Sequence, residues 1–302
     1  MSIIVNTNMA ALKTQRNLTT STNSLSKALE RMSTGLKINS AADDAAGLFV
    51  ATNLDAQIRG SKVAQSNIAT GINVLQIVEG NYSVIQDNLL RIRDLATQAA
   101  NGIYNEDSIK AMQDEVEARV SEIDRVADAA NFNGLELLSG KADIATKGMR
   151  LQVGANSEAS TNSITIPAEI FKSAHASSLG LYGGNPPASK PTGDASQFTT
   201  IENAFVSAST AAQFIKDIDV ALTSVASNKA TIGAIQNRLE SANDSLTTTI
   251  ENATSAKSTI MDADIAEESA NYTKAQILQQ TASTLLVQAN ALPQIAINLI
   301  RQ

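Results

Sequence analysis

Residues 275–300 read AQILQQTASTLLVQANALPQIAINLI, and none of them carries a charge. Counted in sevens, the stretch places alanine at Ala275, Ala282, Ala289 and Ala296, and leucine three residues after each, at Leu278, Leu285, Leu292 and Leu299. Apolar residues recurring about every 3.5 positions keep one stripe facing a partner helix and supercoil left-handedly, and alanine at one core position lets the two helices approach closely. Pro293 lies inside the pattern and is expected to kink or weaken the last turns. A membrane span needs about 20 predominantly apolar residues, whereas Gln276, Gln279, Gln280, Thr281, Gln288, Asn290, Gln294 and Asn298 interrupt this run, so no membrane insertion is expected. Four leucines do not offset the conformational entropy of ordering the whole stretch. Its remaining faces have to be covered by the N-terminus or by other chains.

The opening of the sequence has the same pattern. Ile4, Ala11, Leu18, Leu25 and Met32 recur every seven residues, flanked by Ala28, Leu29 and Leu36, with neutral Thr14, Gln15, Asn17, Thr19, Thr20 and Ser21 between them. Matching seams at the two ends predict that the termini pair as antiparallel helices. Gly35 is placed to end the first helix as a cap, and Ser40 to open the next, with Asp43 three residues on. Asp43 and Asp44 could serve as acid and base or as metal ligands. With no histidine beside them, they read instead as first-turn acids behind an N-cap, stabilised by exposed amides and the helix dipole.

From Ala64 the apolar spacing alternates four and three through Ile68, Gly71, Leu75, Val78, Tyr82, Ile85, Leu89, Ile92, Ala96 and Ala99. That is a helix about 54 Å long at 1.5 Å per residue, a rod rather than part of one globule. Asn101-Gly102 breaks it; Ile109, Met112, Val116, Ile123 and Val126 make a shorter antiparallel return, which Asn133-Gly134 ends. The period then changes. Leu151 and Val153 alternate with Gln152, and Ile164 and Ile166 with Thr165, across a polar turn containing Gly154, Asn156 and Asn162, which predicts a β-hairpin. His175, the single histidine, has no clustered ligands near it in sequence and is expected at the surface. Residues 179–196 hold Gly180, Gly183, Gly184, Gly193, Pro186, Pro187 and Pro191, punctuation rather than regular structure. Helical periodicity resumes through Ala211, Ile215, Ile218, Leu222, Val225, Ile232, Leu239, Leu246, Ile250 and Ile260, a second rod leading back to the C-terminal seam.

The fold class is therefore mainly α: long antiparallel helical rods with coiled-coil termini and a small β-hairpin region. The breaks predict a terminal coiled-coil domain of residues 1–42 plus 263–302, a helical rod domain with the hairpin of residues 43–172 plus 200–262, and a Gly/Pro-rich tip of residues 173–199. With 3% aromatic residues and no Trp, the helices are packed by small aliphatic side chains. A net charge of −7 argues against nucleic acid, which calls for a basic face. The absence of cysteine excludes disulfide and thiolate chemistry. There is no phosphate-cradling glycine loop and no H-E-x-x-H helix, and His175 stands apart from any Ser-His-Asp arrangement. Asp262, Asp264, Glu267 and Glu268 could hold a divalent cation but read as a solvated helix start after a break near Met261. No enzymatic activity and no cofactor are expected. The opening MSIIVNTNMAALKTQR has no positively charged leader or small-residue cleavage site, so the protein is cytoplasmic or leaves by a route that reads another signal.

Several stretches taken together are similar to bacterial flagellin: Asn39-Ser40-Ala41-Ala42-Asp43-Asp44-Ala45-Ala46-Gly47-Leu48, Phe132-Asn133-Gly134, Lys274-Ala275-Gln276-Ile277-Leu278-Gln279-Gln280, Gln288-Ala289-Asn290 and Pro293-Gln294. They occur in the family's order, and the likeness covers residues 1–167 and 200–302. Many flagellins insert outer domains where this sequence has only its Gly/Pro tip. The resemblance implies a homo-oligomer, many copies polymerised into a hollow helical filament for motility. The termini would form its inner coiled-coil core, packed by Ile4, Ala11, Leu18, Leu25, Met32, Leu278, Leu285, Leu292 and Leu299, and the rods with their hairpin would form the outer wall.

The resemblance also implies an extracellular subunit exported by the flagellar type III route. Its implied partners are a flagellin export chaperone at the C-terminal helix, the filament cap and the hook-associated junction proteins. Residues 149–166 would take part in switching between packing states. The family's immune motif matches Arg91 and Leu95, within Leu90-Arg91-Ile92-Arg93-Asp94-Leu95-Ala96, and Glu115, which implies recognition by a host Toll-like flagellin receptor. Asp94 stands where Glu is common. Arg91 and Glu115 equally fit interfaces between protofilaments. A hook–filament junction protein would share both terminal segments and an intracellular coiled-coil scaffold would share the seams; the Gln288–Gln294 run and the short middle favour the filament subunit. A metallopeptidase-bearing flagellin would need a zinc motif in residues 168–200, and none is there.

Overall fold

The computed structural model describes residues 7–141, 143–181, 205 and 208–300, with side chains excepted at 159, 208–209 and 292–300. Helix α1 spans Met9–Thr34, α2 Ala45–Ala99 and α3 Glu106–Ala129; strands β1 Asn131–Phe132 and β2 Leu135–Glu136 follow. A helical turn α4 (Ile144–Lys147), strand β3 (Met149–Gln152), a helical turn α5 (Ala159–Asn162), strand β4 (Ser163–Ile166) and a 3-10 turn (Ala168–Phe171) come next. The long helices α6 (Ala208–Met261) and α7 (Ile265–Ile300) complete the order. No described helix is long and apolar enough to cross a membrane. Ile4 lies outside the described residues, as do residues 182–199 of the expected tip and the side chains of Leu292 and Leu299. Helix α7 runs through Pro293 to Ile300.

The protein divides into two units, Met1–Ile58 with Ile250–Gln302, and Arg59–Thr249. These divisions fall inside α2 and α6, away from the breaks at 42/43 and 262/263 used for the expected boundaries. In the 59–249 unit, the core stripe of α2 is the expected one: Ile68, Leu75, Val78, Tyr82, Ile85, Leu89, Ile92 and Ala96 are all buried. It meets Val116, Val120, Ile123 and Val126 of α3 and Phe214, Ile218, Ala221, Val225, Ile232 and Leu239 of α6. The hydrogen bonds Gln65–Thr247, Gln236–Glu79 and Lys229–Gln86 and the ion pair Arg93–Asp219 pair rising numbers on one helix with falling numbers on the other, so α2 and α6 are antiparallel. Ile215 and Leu222, expected in the core of α6, lie at its edge, and Phe214 and Ala221 take the buried positions.

Two local expectations differ from the structure. Asn133-Gly134 does not end α3, which stops at Ala129; it forms the two-residue turn of the β1–β2 hairpin, with φ of 49° and 80°. Positive φ at both turn positions matches the strand twist, which is why Asn-Gly suits hairpins. His175 and its neighbours are not a surface tip: Ala174, His175, Ala176, Ser177 and Leu181 are buried. The β3–β4 hairpin is present as read, with Leu151 opposite Ile164 and Met149 opposite Ile166. It lies on α2 where glycines permit it. A Cβ on Gly71 would stand 2.2 Å from Leu151 Cδ1, and one on Gly60 2.8 Å from Ala155 Cβ.

In the other unit, Gly35 ends α1 in the left-handed conformation, φ 71°, its N–H donating to Arg31 O at 2.8 Å. The backbone then reverses. Lys37 N donates to Met261 O at 2.6 Å and Ala263 N to Gly35 O at 2.9 Å, while Ile38, Ala51 and Met261 form a small core. Helix α2 starts one residue after Asp44, not at Ser40: Asp44 Oδ1 accepts from the Ala46 and Gly47 amides at 3.0 Å. Asp43 closes the turn before it, accepting at Oδ2 from the amides of Asn39 and Ser40 and from the Ser40 hydroxyl. Asp264 caps α7 in the same way through Ala266 and Glu267.

Candidate functional site

The terminal helices α1 and α7 pair as the two seams predict. Asn8 Nδ2 donates to Ala289 O at 2.7 Å, Gln279 Nε2 to Thr22 Oγ1 at 3.4 Å, and Arg31 Nη1 to Glu268 Oε1 at 2.9 Å. Rising numbers on one helix meet falling numbers on the other, so the pair is antiparallel. Asn8 also caps α1, its Oδ1 accepting from Ala11 N at 3.0 Å. On α7 the buried line is Glu268, Ala275, Ala282 and Ala289, spaced by seven. The half-buried line beside it is Tyr272, Gln279 and Leu286. On α1, Ala11, Leu18, Leu25 and Met32 are half-buried and Ala28 is fully buried.

One part of the expected seam is different. Leu278 and Leu285 do not pack inside the protein: they are 48% and 49% exposed. A seven-residue alanine repeat has one flank three residues on and another four residues on, and periodicity alone does not choose between them. The fold takes the second flank inward, which leaves the leucines outside. Ile277 and Val287 of α7 and Met9, Leu12 and Leu29 of α1 are open as well. Glu268 is likewise not the solvated first-turn acid expected; it is buried against Arg31. Lys27 reaches Asp43 at 2.6 Å and holds its carboxyl down to about 2, helped by the Ser40 hydroxyl and the Asn39 and Ser40 amides.

In the 59–249 unit, Arg91 and Glu115 meet in a two-point pair, Nε to Oε1 at 2.8 Å and Nη2 to Oε2 at 3.1 Å. The guanidinium holds the Glu115 carboxyl below its usual range, and the carboxylate raises Arg91. Leu95, one turn from Arg91, is 3% exposed and belongs to the core, so it supports this surface from beneath and presents no side chain on it. Tyr82 donates to Ile170 O at 3.1 Å and accepts from Asn228 Nδ2 at 3.2 Å; burial pushes its hydroxyl up to about 12. Asn67 Nδ2 donates to Gln152 O at 3.2 Å, joining the β3–β4 hairpin to α2.

His175 is 7% exposed. Its Nδ1 lies 2.8 Å from Ser173 Oγ and its Nε2 3.2 Å from Asp128 Oδ1, while Ala176 N donates to Asp124 Oδ1 at 2.8 Å. Burial raises Asp124, partly offset by that amide. Ser173, His175 and Asp128 thus come together, contrary to the expectation that the histidine stands alone. The Ser173 hydroxyl also accepts from the His175 amide at 3.4 Å, so the group ties a turn to α3. The carboxylates lie on α3, some fifty positions back in sequence, which hid the cluster from a linear reading. No group of three or more metal-ligating side chains occurs among the described residues.

A family model described as the bacterial flagellin N-terminal helical region matches residues 5–143, and one described as the bacterial flagellin C-terminal helical region matches residues 215–300. The flagellar filament 30.7 kDa core protein of Treponema maltophilum is 36% identical over 302 residues, covering 99% of this chain and 100% of that one. The flagellin of Bacillus subtilis (strain 168) is 37% identical over 309 residues, covering 98% of this chain and 99% of that one. The crystal structure of Bacillus cereus flagellin is 27% identical, with a TM-score of 0.46 over 60% of this chain and 88% of that one.

Proposed function

Because the protein belongs to the bacterial flagellin family and is therefore a structural subunit that polymerises into the flagellar filament, we propose that it assembles through the outward face of its paired terminal helices. The observation that supports this is the set of open apolar side chains on the pair, Ile277, Leu278, Leu285 and Val287 on α7 and Met9 and Leu12 on α1. On α7 the fully buried apolar line inside the protein is alanine, which buries little area. Leucines buried by a neighbouring copy contribute about 1.5–3 kcal/mol each. Residues 1–42 and 263–302 would then form the inner layer, and residues 43–172 and 200–262 the outer one.

The test is seeded polymerisation of the full-length protein bearing Leu278→Ser and Leu285→Ser, followed by light scattering and electron microscopy. Two lost leucines remove about 3–6 kcal/mol, which raises the critical concentration roughly 10²–10⁴-fold at about 1.4 kcal/mol per tenfold. The helical content of the soluble subunit stays as in the parent, because neither leucine packs within it. A double variant that polymerises at the parent's concentration rejects the assignment.

The remaining partners follow from the same family reading. Export runs by the flagellar type III route, with a chaperone covering the open leucine row before assembly; the chaperone's loss of binding to the double variant tests this. The cap and hook-associated junction proteins engage the terminal pair, and the β3–β4 hairpin biases the packing state. A Toll-like flagellin receptor reads Arg91 and Glu115, supported by their rigid two-point pairing. Unchanged reporter activation by Arg91→Ala monomer would remove that assignment.

A further inference from the structure

Two Asn-Gly dipeptides lie among the described residues, and they differ in how firmly the backbone is held. We propose that Asn101 is a spontaneous deamidation site in the folded protein and that Asn133, the same dipeptide, is protected by its hairpin. Ring closure requires the amide nitrogen of the following glycine to swing onto the asparagine side chain, and a glycine there offers no Cβ to oppose the approach. The rate is then set by how easily the local backbone leaves its native conformation.

At Asn101 little holds it. Residues 101–107 are exposed, and among the described residues the only backbone bonds at the dipeptide are Asn101 N to Gln98 O at 3.2 Å and Gly102 N to Ala99 O at 3.5 Å, both to the last turn of α2. The segment joins the end of α2 to the cap of α3 without being buried on either side. Asn133 is held on both sides instead. Its φ of 49° is fixed by the turn between the paired residues Phe132 and Leu135. Leu137 N donates to Ala130 O at 2.8 Å, and Leu137 and Leu138 are fully buried directly behind the strand. Bringing Gly134 N onto the Asn133 side chain means unwinding that turn and drawing on those contacts.

The reaction needs only water. The Gly102 nitrogen gives up its proton and bonds to Asn101 Cγ; the bond from Cγ to Nδ2 breaks and that nitrogen leaves as ammonia, closing a succinimide. Water then opens the ring at either carbonyl, giving aspartate, or isoaspartate with the backbone running through the former side chain. One carboxamide and one water become one carboxylate and one ammonium ion, with nothing oxidised or reduced.

The experiment incubates the purified full-length protein at mildly alkaline pH and follows tryptic peptides by mass spectrometry. Cleavage after Arg93 and Lys110 places Asn101 with Asn105, whose side chain is engaged as the α3 cap at 3.1 Å from Ser108 N; cleavage after Arg125 and Lys141 places Asn133 in a separate peptide. The expected result is conversion at Asn101 several-fold faster than at Asn133, none above background at Asn105, and loss of the isoaspartate signal in Asn101→Gln. In strong urea the two Asn-Gly sites convert at similar rates. Conversion at Asn133 equal to or faster than at Asn101 in the native protein overturns the proposal, as does a persistent difference in urea.

Discussion

Helix α2 contains interior glycines whose surroundings assign opposite signs to one substitution. Alanine is favoured over glycine in a helix by about 0.8–1 kcal/mol. At Gly80 nothing lies within 4 Å of the added Cβ, so Gly80→Ala gains that amount. At Gly60 the Cβ would stand 2.8 Å from Ala155 Cβ, 3.1 Å from its Cα and 3.4 Å from its carbonyl oxygen. Two of those atoms are backbone and cannot rotate away, so the loop after β3 has to move. Overpacking of this kind costs about 1–3 kcal/mol, which turns the gain into a net loss of about 0–2 kcal/mol. The two variants then differ by about 1–3 kcal/mol, or roughly 3–9 °C in a unit of this size. Thermal unfolding of the soluble subunit by circular dichroism measures it. Adding Ala155→Gly to Gly60→Ala removes the nearest atom and recovers most of the difference. If Gly60→Ala stabilises as much as Gly80→Ala, the hairpin loop does not rest on α2 at this point, and the glycine seat is refuted.

Two further outcomes follow from titrating groups. Burial keeps the proton on Tyr82 to about pH 12, whereas an unfolded tyrosine loses it near about 10. The folded value is the higher one, so this stability is complete below about pH 10 and is lost as pH climbs to about 12, up to about 3 kcal/mol at roughly 1.36 per unit. Tyr82→Phe should flatten that decline in the urea midpoint, and a slope parallel to the parent's would reject it. Asp43, held down to about 2 by Lys27, works in the other direction. Its contribution is present above the usual carboxylate range and disappears as pH falls through about 2. Lys27→Met should move the carboxyl titration of Asp43, followed by NMR, up toward about 3.9; an unmoved titration contradicts the pairing.

Periodicity made the long-range architecture legible. The four-three alternation from Ile68 to Ala96 named the buried face of α2 because only one stripe of a helix faces the core, and the seams at 11–32 and 275–289 identified partners more than two hundred residues apart. It was less informative where two flanks satisfy the same repeat. On α6, Phe214 and Ala221 took the places assigned to Ile215 and Leu222, a shift of one position on the helix. Capping chemistry was legible to within a few residues: the Asp43 and Asp44 carboxylates do serve backbone amides, but Asp44 starts the helix and Asp43 closes the reversal before it. The His175 cluster was not legible, since its partners Asp124 and Asp128 reach it only after the backbone has gone down α3 and through two hairpins. Asn133-Gly134 marks a reversal, but a turn dipeptide does not say whether a helix or a strand precedes it.

The same ambiguity of flank decides what the terminal pair leaves outside. Had the leucines at 278 and 285 faced α1, they would have been covered within the subunit and the outer face of the pair would carry fewer large apolar side chains. Turning the alanine line inward has two consequences at once. It brings α1 and α7 close enough for Asn8 to reach the Ala289 carbonyl, and it leaves the bulkier side chains as the exposed ones. On α7 the fully buried apolar line is thereby alanine, while Leu278 and Leu285 stay about half exposed. Exchanging the two roles, with Ala275 and Ala282 replaced by leucine and Leu278 and Leu285 by alanine, keeps composition and period nearly constant. It should force α1 away from α7, by the bulk of two buried leucines, and abolish polymerisation together. A protein so altered that still paired its termini and still grew on seeds would show that the heptad period alone, and not which residue faces inward, governs assembly.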